Sequence, residues 1–316
     1  MSDEYLWDRT GPPDPEIERL EWVLAPLRHA GKRPAQPKRP PYWLAAAAAV
    51  VLAALGLLRL AFPAAQTTAW QVASLEGTAQ VGGRNAAIAM PVRTGQALRT
   101  GNASGLSLEA DEVGQVDLGS DSELSAAANG RLLLRRGTLH AYIWAPPRQF
   151  VVDTPAARAI DLGCEYTVTV NGLGDGLLRV SFGWVAFQYD DHESFIPAGA
   201  ECVTRRRLGP GIPYYADAPK ALRDGLDRFE RGEETALDGI LAAARPRDGL
   251  TLWHLLTRVP AADRSRVFDR FAQLEPLPAG VAREDALRKD AHALDLCWDA
   301  LNLENTDWWR GWERRW

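Results

Sequence analysis

Residues 105–118 read GLSLEADEVGQVDL, and apolar positions alternate with polar ones: Leu106, Leu108 and Ala110, then Val116 and Leu118. A period of two marks a half-buried β-strand, because successive side chains point to opposite faces. The same alternation continues on the C-terminal side. It recurs at Leu132/Leu134, Leu139/Ala141/Ile143, Phe150–Val152, Tyr166/Val168/Val170, Leu178/Val180/Phe182 and Val185/Phe187. Gly, Asn and Asp punctuate these runs at intervals of roughly ten residues. Residues 66–216 are therefore predicted to form an all-β domain of many short strands. The spacing suits a sandwich, a barrel or a β-helix-like stack equally well, and no repeat of fixed period is present.

Further along, the period changes. Residues 217–316 are rich in Ala, Leu, Arg, Asp and Glu, and their apolar residues follow helical spacing. Five stripes are legible: Leu222/Leu226/Phe229, Leu237/Ile240/Leu241/Ala244, Leu252/Leu255/Leu256/Val259, Val267/Phe268/Phe271/Leu274 and Leu287/Ala291/Leu294/Trp298/Leu301. Pro246, Pro260, Pro276 and Pro278 separate them. This region is predicted to be an all-α helical domain of packed hairpins.

On the N-terminal side, residues 42–65 begin YWLAAAAAVVLAALGLL and hold Arg59 as their one charge. A stretch of roughly twenty apolar residues is long enough to span a bilayer. Tyr42 and Trp43 suit an aromatic belt at one end. Arg28, Lys32, Arg33, Lys38 and Arg39 precede the stretch with no acid among them, whereas no basic residue lies between Arg59 and Arg84. The positive-inside rule then predicts a single transmembrane helix with residues 1–41 cytoplasmic and the β and α domains outside the cytoplasm.

The 1–41 tail is too short for a core of its own. Asp14-Pro15-Glu16 reads as a helix start, with an N-cap, a proline at N1 and an acid in the first turn. Ile17, Leu20, Leu24 and Leu27 follow at helical spacing, with Trp22 and Trp7 nearby. An isolated amphipathic helix of this length is marginal in water. It is predicted either to bind a groove on a partner protein or to lie on a membrane surface. Residues 29–41 read as a proline-rich, basic linker.

Composition narrows the function classes. The 316 residues are 46% hydrophobic and 24% charged, with a net charge of -5, which excludes wholesale disorder and gives no basic excess for nucleic acid. Three cysteines are too few for a disulfide framework, and none are spaced as a zinc knuckle. His29, His140, His192, His254 and His292 show no metal-ligand spacing, and no HExxH, GxSxG or P-loop is present. Asp190-Asp191-His192-Glu193 reads as a solvated hairpin tip, and Arg205-Arg206-Arg207 as a charged edge or an anion contact. Cys164 and Cys202 lie in the β domain, where a disulfide is open to them if the compartment is oxidising. Cys297 reads as a small buried apolar residue. Trp308, Trp309, Trp312 and Trp316, mixed with arginines, fit either packing onto the helices or a membrane interface.

Within the β domain, FVVDTPAARAIDLGCEYTVTV (150–170), LLRVSFGWVAF (177–187) and FIPAGAECV (195–203) stand in order. Upstream are MPVRTGQALRTGNASGLSLEA (90–110) and RLLLRRGTLHAYI (131–143). This ordered set resembles the FecR domain family. Thr154-Pro155, Leu162-Gly163, Tyr166, Val168, Gly183, Val185 and Ala198–Glu201 fill the family's pattern, and Cys164 stands where the family usually has Thr. The resemblance implies a membrane-bound regulator of an extracytoplasmic-function sigma factor, with a periplasmic sensor domain. The opening EYLWDRTGPPDPEIERLEWVLAPLR also resembles the N-terminal tails of such regulators, though it lacks the zinc-binding His-Cys-Cys pattern.

The expectation is thus a non-enzymatic, single-pass inner-membrane anti-sigma factor or sigma-factor regulator, without cofactor or metal. Its sigma factor would be bound through Trp7, Ile17, Leu20, Trp22, Leu24 and Leu27. Its β domain would meet a periplasmic protein or envelope ligand, its span the lipid bilayer, and no nucleic acid would be contacted directly. The alternative is an envelope scaffold or binding module for glycan, peptide or a partner protein.

Overall fold

The computed structural model describes residues 14–27, 70–190 and 192–303. The chain divides into two compact units, Met1–Pro63 and Ala64–Trp316.

In the first unit, helix α1 spans Pro15–Leu24 and runs on into a 3-10 turn at Ala25–Leu27. The Asp14 carboxylate accepts from the Glu16 N–H at 2.9 Å, which satisfies one of the orphan donors of the first turn. Glu16 and Glu18 add favourable charge at the same end.

The second unit opens with β1 (Trp70–Glu76), β2 (Ala79–Val81), β3 (Arg84–Asn85), β4 (Pro91–Val92), β5 (Ala97–Thr100) and β6 (Gly105–Ala110). Next come β7 (Gly114–Leu118), β8 (Glu123–Ala126), β9 (Leu132–Ile143), β10 (Val151–Asp153), β11 (Arg158–Asp161) and β12 (Glu165–Val170). Then follow β13 (Gly176–Phe182), β14 (Trp184–Tyr189), β15 (His192–Pro197), β16 (Ala200–Arg205), β17 (Gly209–Pro210) and β18 (Tyr214–Tyr215).

These strands build two long sheets that share β9. The first runs β4-β1-β6-β7-β9-β12-β13-β16, with β17 and β18 both on β16. The second runs β3-β2-β5-β8-β9-β10-β11-β14-β15. Every pairing is antiparallel except β9 with β10. Strand β9 passes from the second sheet to the first at Gly137. That residue has φ of 98°, and a Cβ there would sit 2.1 Å from Ser122 Oγ, so only glycine fits the crossing. Alternate residues of both sheets are buried in one core, and Trp70 of the first sheet meets Phe150 beside the second at 5.8 Å between rings.

Helices α2 (Lys220–Glu230), α3 (Ala236–Ala243), α4 (Gly249–Arg258), α5 (Ala261–Leu274), α6 (Arg283–Leu287) and α7 (Ala291–Ala300) complete the unit. They share the same core as the strands. Strand β14 is buried on both faces from Trp184 to Phe187, because helices cover it where most strands meet solvent. Trp298 of α7 lies between Trp184, Phe195 and Trp253 at ring separations of 4.8–5.8 Å. The central helix α4 is buried from Gly249 to Leu256. The fifth apolar stripe of the sequence is two helices rather than one. Lys289 breaks it with φ of 59°, and the Asp290 side chain caps α7 by accepting from Ala293 N–H.

The membrane expectation requires correction. Among the described residues, no helix is long and apolar enough to cross a membrane. The longest, α5, has 14 residues, or about 21 Å at 1.5 Å each, against a hydrocarbon core of ~30 Å, and it carries five charged residues. Residues 42–65 lie outside those described. The single transmembrane helix, the inner-membrane placement with a cytoplasmic N-terminus and periplasmic C-terminus, and the bilayer as a partner are not carried further.

Candidate functional site

Helix α1 presents its apolar residues to solvent. Leu20, Leu24 and Leu27 are 58%, 52% and 77% exposed, and Ile17 is half-buried. At 3.6 residues per turn, Ile17, Leu20 and Leu24 share one face, and Leu27 continues it. Trp22 falls on the opposite side, beside Glu18 and Arg19, and is 79% exposed. Five of the six residues expected to bind a partner are therefore described, and four of them form one stripe that Trp22 does not join. Trp7 lies outside the described residues, as do Trp308, Trp309, Trp312 and Trp316.

The β region holds a buried acid–thiol pair. Asp161 ends β11 and accepts from the Gly163 N–H at 3.0 Å and from the Cys164 thiol. Burial raises the Asp161 pKa to about 6, with those donors opposing the rise, and pushes the Cys164 thiol well above its ordinary value. The Cys164 thiol thus serves Asp161 as a buried hydrogen-bond donor.

The pairing of Cys164 with Cys202 also requires correction. Cys164, Cys202 and Cys297 are all buried and free. Cys202 pairs with Leu178, and Leu178 with Val168. Cys164 thus lies two strands across and four residues along, roughly 16 Å away at standard sheet spacings. A disulfide needs Cα atoms within about 7 Å. The Cys202 thiol instead donates to Gly211 O at 3.4 Å, and burial pushes its pKa up to about 12.

A polar cluster at the junction of strands and helices carried no sequence signal. His254 of α4 donates from Nδ1 to Leu250 O at 2.9 Å, and its Nε2 accepts from the Phe195 N–H of edge strand β15 at 3.1 Å. That geometry fixes a neutral imidazole, and burial lowers its pKa to about 3. Arg258 donates to Pro210 O, Glu193 O and Ser194 Oγ at 2.6–2.9 Å. Arg205, expected on an exposed basic edge, instead turns inward to Asp227 and Glu230 of α2. A cleft of about 340 Å³ opens beside this cluster, lined in part by Tyr189, Arg207, Phe229, Glu230 and Arg258. Arg205, Glu230 and Arg258 in it are already partnered within the protein, which is what a structural joint between layers needs. Among the described residues, no cluster of His, Cys, Asp and Glu could hold a metal ion.

No family profile matches the chain, and no curated protein matches it. Two crystal structures of a candidate anti-sigma factor from Parabacteroides distasonis ATCC 8503, at 1.65 and 2.50 Å resolution, are similar to part of it. The similarity covers 39% of this chain and 60% of theirs, at 13% and 14% identity and a TM-score of 0.33.

Proposed function

We propose that the chain is a non-catalytic regulator of a sigma factor, of the extracytoplasmic-function type, which it binds through the apolar stripe of α1. The observation that carries this reading is that stripe: a capped helix whose leucines are more than half exposed. Leaving several large aliphatic side chains in water is unfavourable by about 1.5–3 kcal/mol each relative to burial, which a partner groove would recover. The ordered FecR-like segments support the same reading, since they lie in order on β4–β6 and β9–β16 of one β region. Signal reception belongs to that β region, and the helix relays it.

The test uses the full chain, tagged and recovered from its own cells, with bound proteins identified by mass spectrometry. A sigma factor should co-purify with the wild type and with Trp22→Asp, whose side chain lies off the stripe. The Leu20→Asp/Leu24→Asp variant should lose it, because a carboxylate would be buried in the groove. Absence of a sigma factor from the wild type, or its retention by the double variant, refutes the proposal.

A further inference from the structure

The outer face of the first sheet carries three large aromatic side chains in the open. Tyr142 on β9 is 53% exposed, Phe182 at the end of β13 is 66% exposed, and Trp144, just past β9, is 47% exposed. They are placed by the ladder. Glu165 of β12 is the direct partner of Tyr142 on one side and of Phe182 on the other. All three therefore point to the same face, and the two rings stand roughly 9–10 Å apart across two strand spacings. Trp144 is fixed as well. Its Nε1 donates to Asp111 O at 2.8 Å, and its ring meets that of Tyr142 edge-on at 5.8 Å.

These rings stand outside the buried core. An open sheet face normally carries polar residues, as the neighbouring row does with Asp117, His140, Thr167 and Arg179. Exposed aromatics gathered on one such face make it a candidate binding surface. The polar groups beside them narrow the chemistry. Glu165 sits between the two rings, with His140 Nε2 at 3.4 Å from its carboxylate. Glu109, Asp111 and Glu112 lie at the same end of the sheet, where Glu109 pairs with Gln115 and Gln115 with Tyr142. This acidic surround repels polyanions, so nucleic acid, phosphate-bearing lipid and acidic polysaccharide do not fit. The rings offer faces for apolar C–H groups, and the carboxylates offer acceptors for hydroxyl donors, a combination that a sugar meets.

We propose that this face, formed by Tyr142, Trp144, Phe182 and Glu165, binds an uncharged oligosaccharide. Pyranose rings stack on Tyr142 and Phe182, and adjacent hydroxyls donate to the Glu165 carboxylate between them. The assignment is independent of what α1 binds, so loss of the sigma-factor reading leaves it standing, and the reverse.

The experiment titrates the full chain with cellohexaose and with chitohexaose, following tryptophan fluorescence and calorimetric heat. A hexagalacturonate and a decalysine peptide serve as comparison probes. Saturable binding of one neutral hexasaccharide is expected, weakened about tenfold or more by Tyr142→Ala and by Phe182→Ala, and also weakened by Glu165→Gln. Both ring positions are largely exposed, so unfolding midpoints should stay near wild type and report that the fold is intact. The proposal is overturned if neither neutral hexasaccharide binds, if hexagalacturonate or decalysine binds in preference, or if the Ala variants bind as the wild type does.

Discussion

Two buried groups in the second unit should give opposite pH dependences that cancel in the wild type. Burial raises Asp161 from 3.8 to about 6, and burial, with Arg258 nearby, lowers His254 from 6.5 to about 3. For Asp161, the folded state keeps a proton that the unfolded state has released between those two values. Its contribution to stability is therefore fully present below pH 3.8 and is lost as pH rises through about 6. At ~1.36 kcal/mol per pH unit, that is about 3 kcal/mol in all. His254 runs the other way, because below pH 6.5 the unfolded chain takes up a proton that the folded one refuses. Its contribution is present above 6.5 and is lost as pH falls towards 3, by about 5 kcal/mol in all. Between roughly pH 4 and 6 the two slopes are equal and opposite. Asp161→Asn should leave the histidine slope alone and lose about 2 kcal/mol against wild type on going from pH 6 to 4.5. His254→Gln should leave the aspartate slope alone and gain about 2 kcal/mol over the same interval. Urea unfolding at three pH values measures this, with each variant reported as its difference from wild type so that distant titrating groups drop out. Parallel profiles for all three proteins would refute the reasoning.

Two smaller outcomes follow from the thiols. Cys164→Ser keeps a donor to Asp161 and should be milder than Cys164→Ala, which leaves a buried carboxylate one donor short at about 1–3 kcal/mol by urea unfolding. The folded chain should show no thiol that reacts quickly with Ellman's reagent, and three after denaturation without reductant, because Cys164, Cys202 and Cys297 are buried and unpaired; a single reactive thiol would restore the Cys164–Cys202 bond.

The period-two runs and the helical stripes were legible because periodicity depends only on which face is buried. What periodicity cannot read is contact between elements distant in sequence. His254 sits in an apolar stretch like any core residue, and only the fold brings it to the Phe195 N–H, 59 residues away. Arg205 belongs to a run of three arginines that looks solvated, yet its partners Asp227 and Glu230 arrive from a helix more than twenty residues later. The split of the last apolar stripe was open to reading, since Lys289-Asp290 before Ala291 offers an N-cap, but the hydrophobic spacing passed over it. Phe182 extends the alternating run of Leu178 and Val180 yet is exposed, and Tyr142 alternates with Ala141 and Ile143 on the other face. That Tyr142 and Phe182 meet across Glu165 depends on strand register, which one sequence does not fix.

The residues that carry the FecR resemblance have structural duties, and this separates recognition from function. Thr154 closes the β10–β11 turn, its hydroxyl accepting from Ala157 N–H at 2.9 Å and donating to Ala157 O at 2.8 Å. Gly183 has φ of 71°, and a Cβ there would lie 2.0 Å from the Gly163 carbonyl oxygen, so only glycine fits at 183. Gly199 turns β15 into β16 with its N–H on Val180 O at 2.8 Å. A pattern made of turns and close backbone approaches can persist while ligand and partner change, because its duties are to the backbone rather than to a ligand. The two surfaces proposed above as binding sites, the leucine stripe of α1 and the aromatic face around Glu165, use residues outside that pattern. Substitutions at Thr154 or Gly183 should therefore lower stability and every activity together, whereas those at Leu20 or Tyr142 should remove one interaction and leave the fold intact.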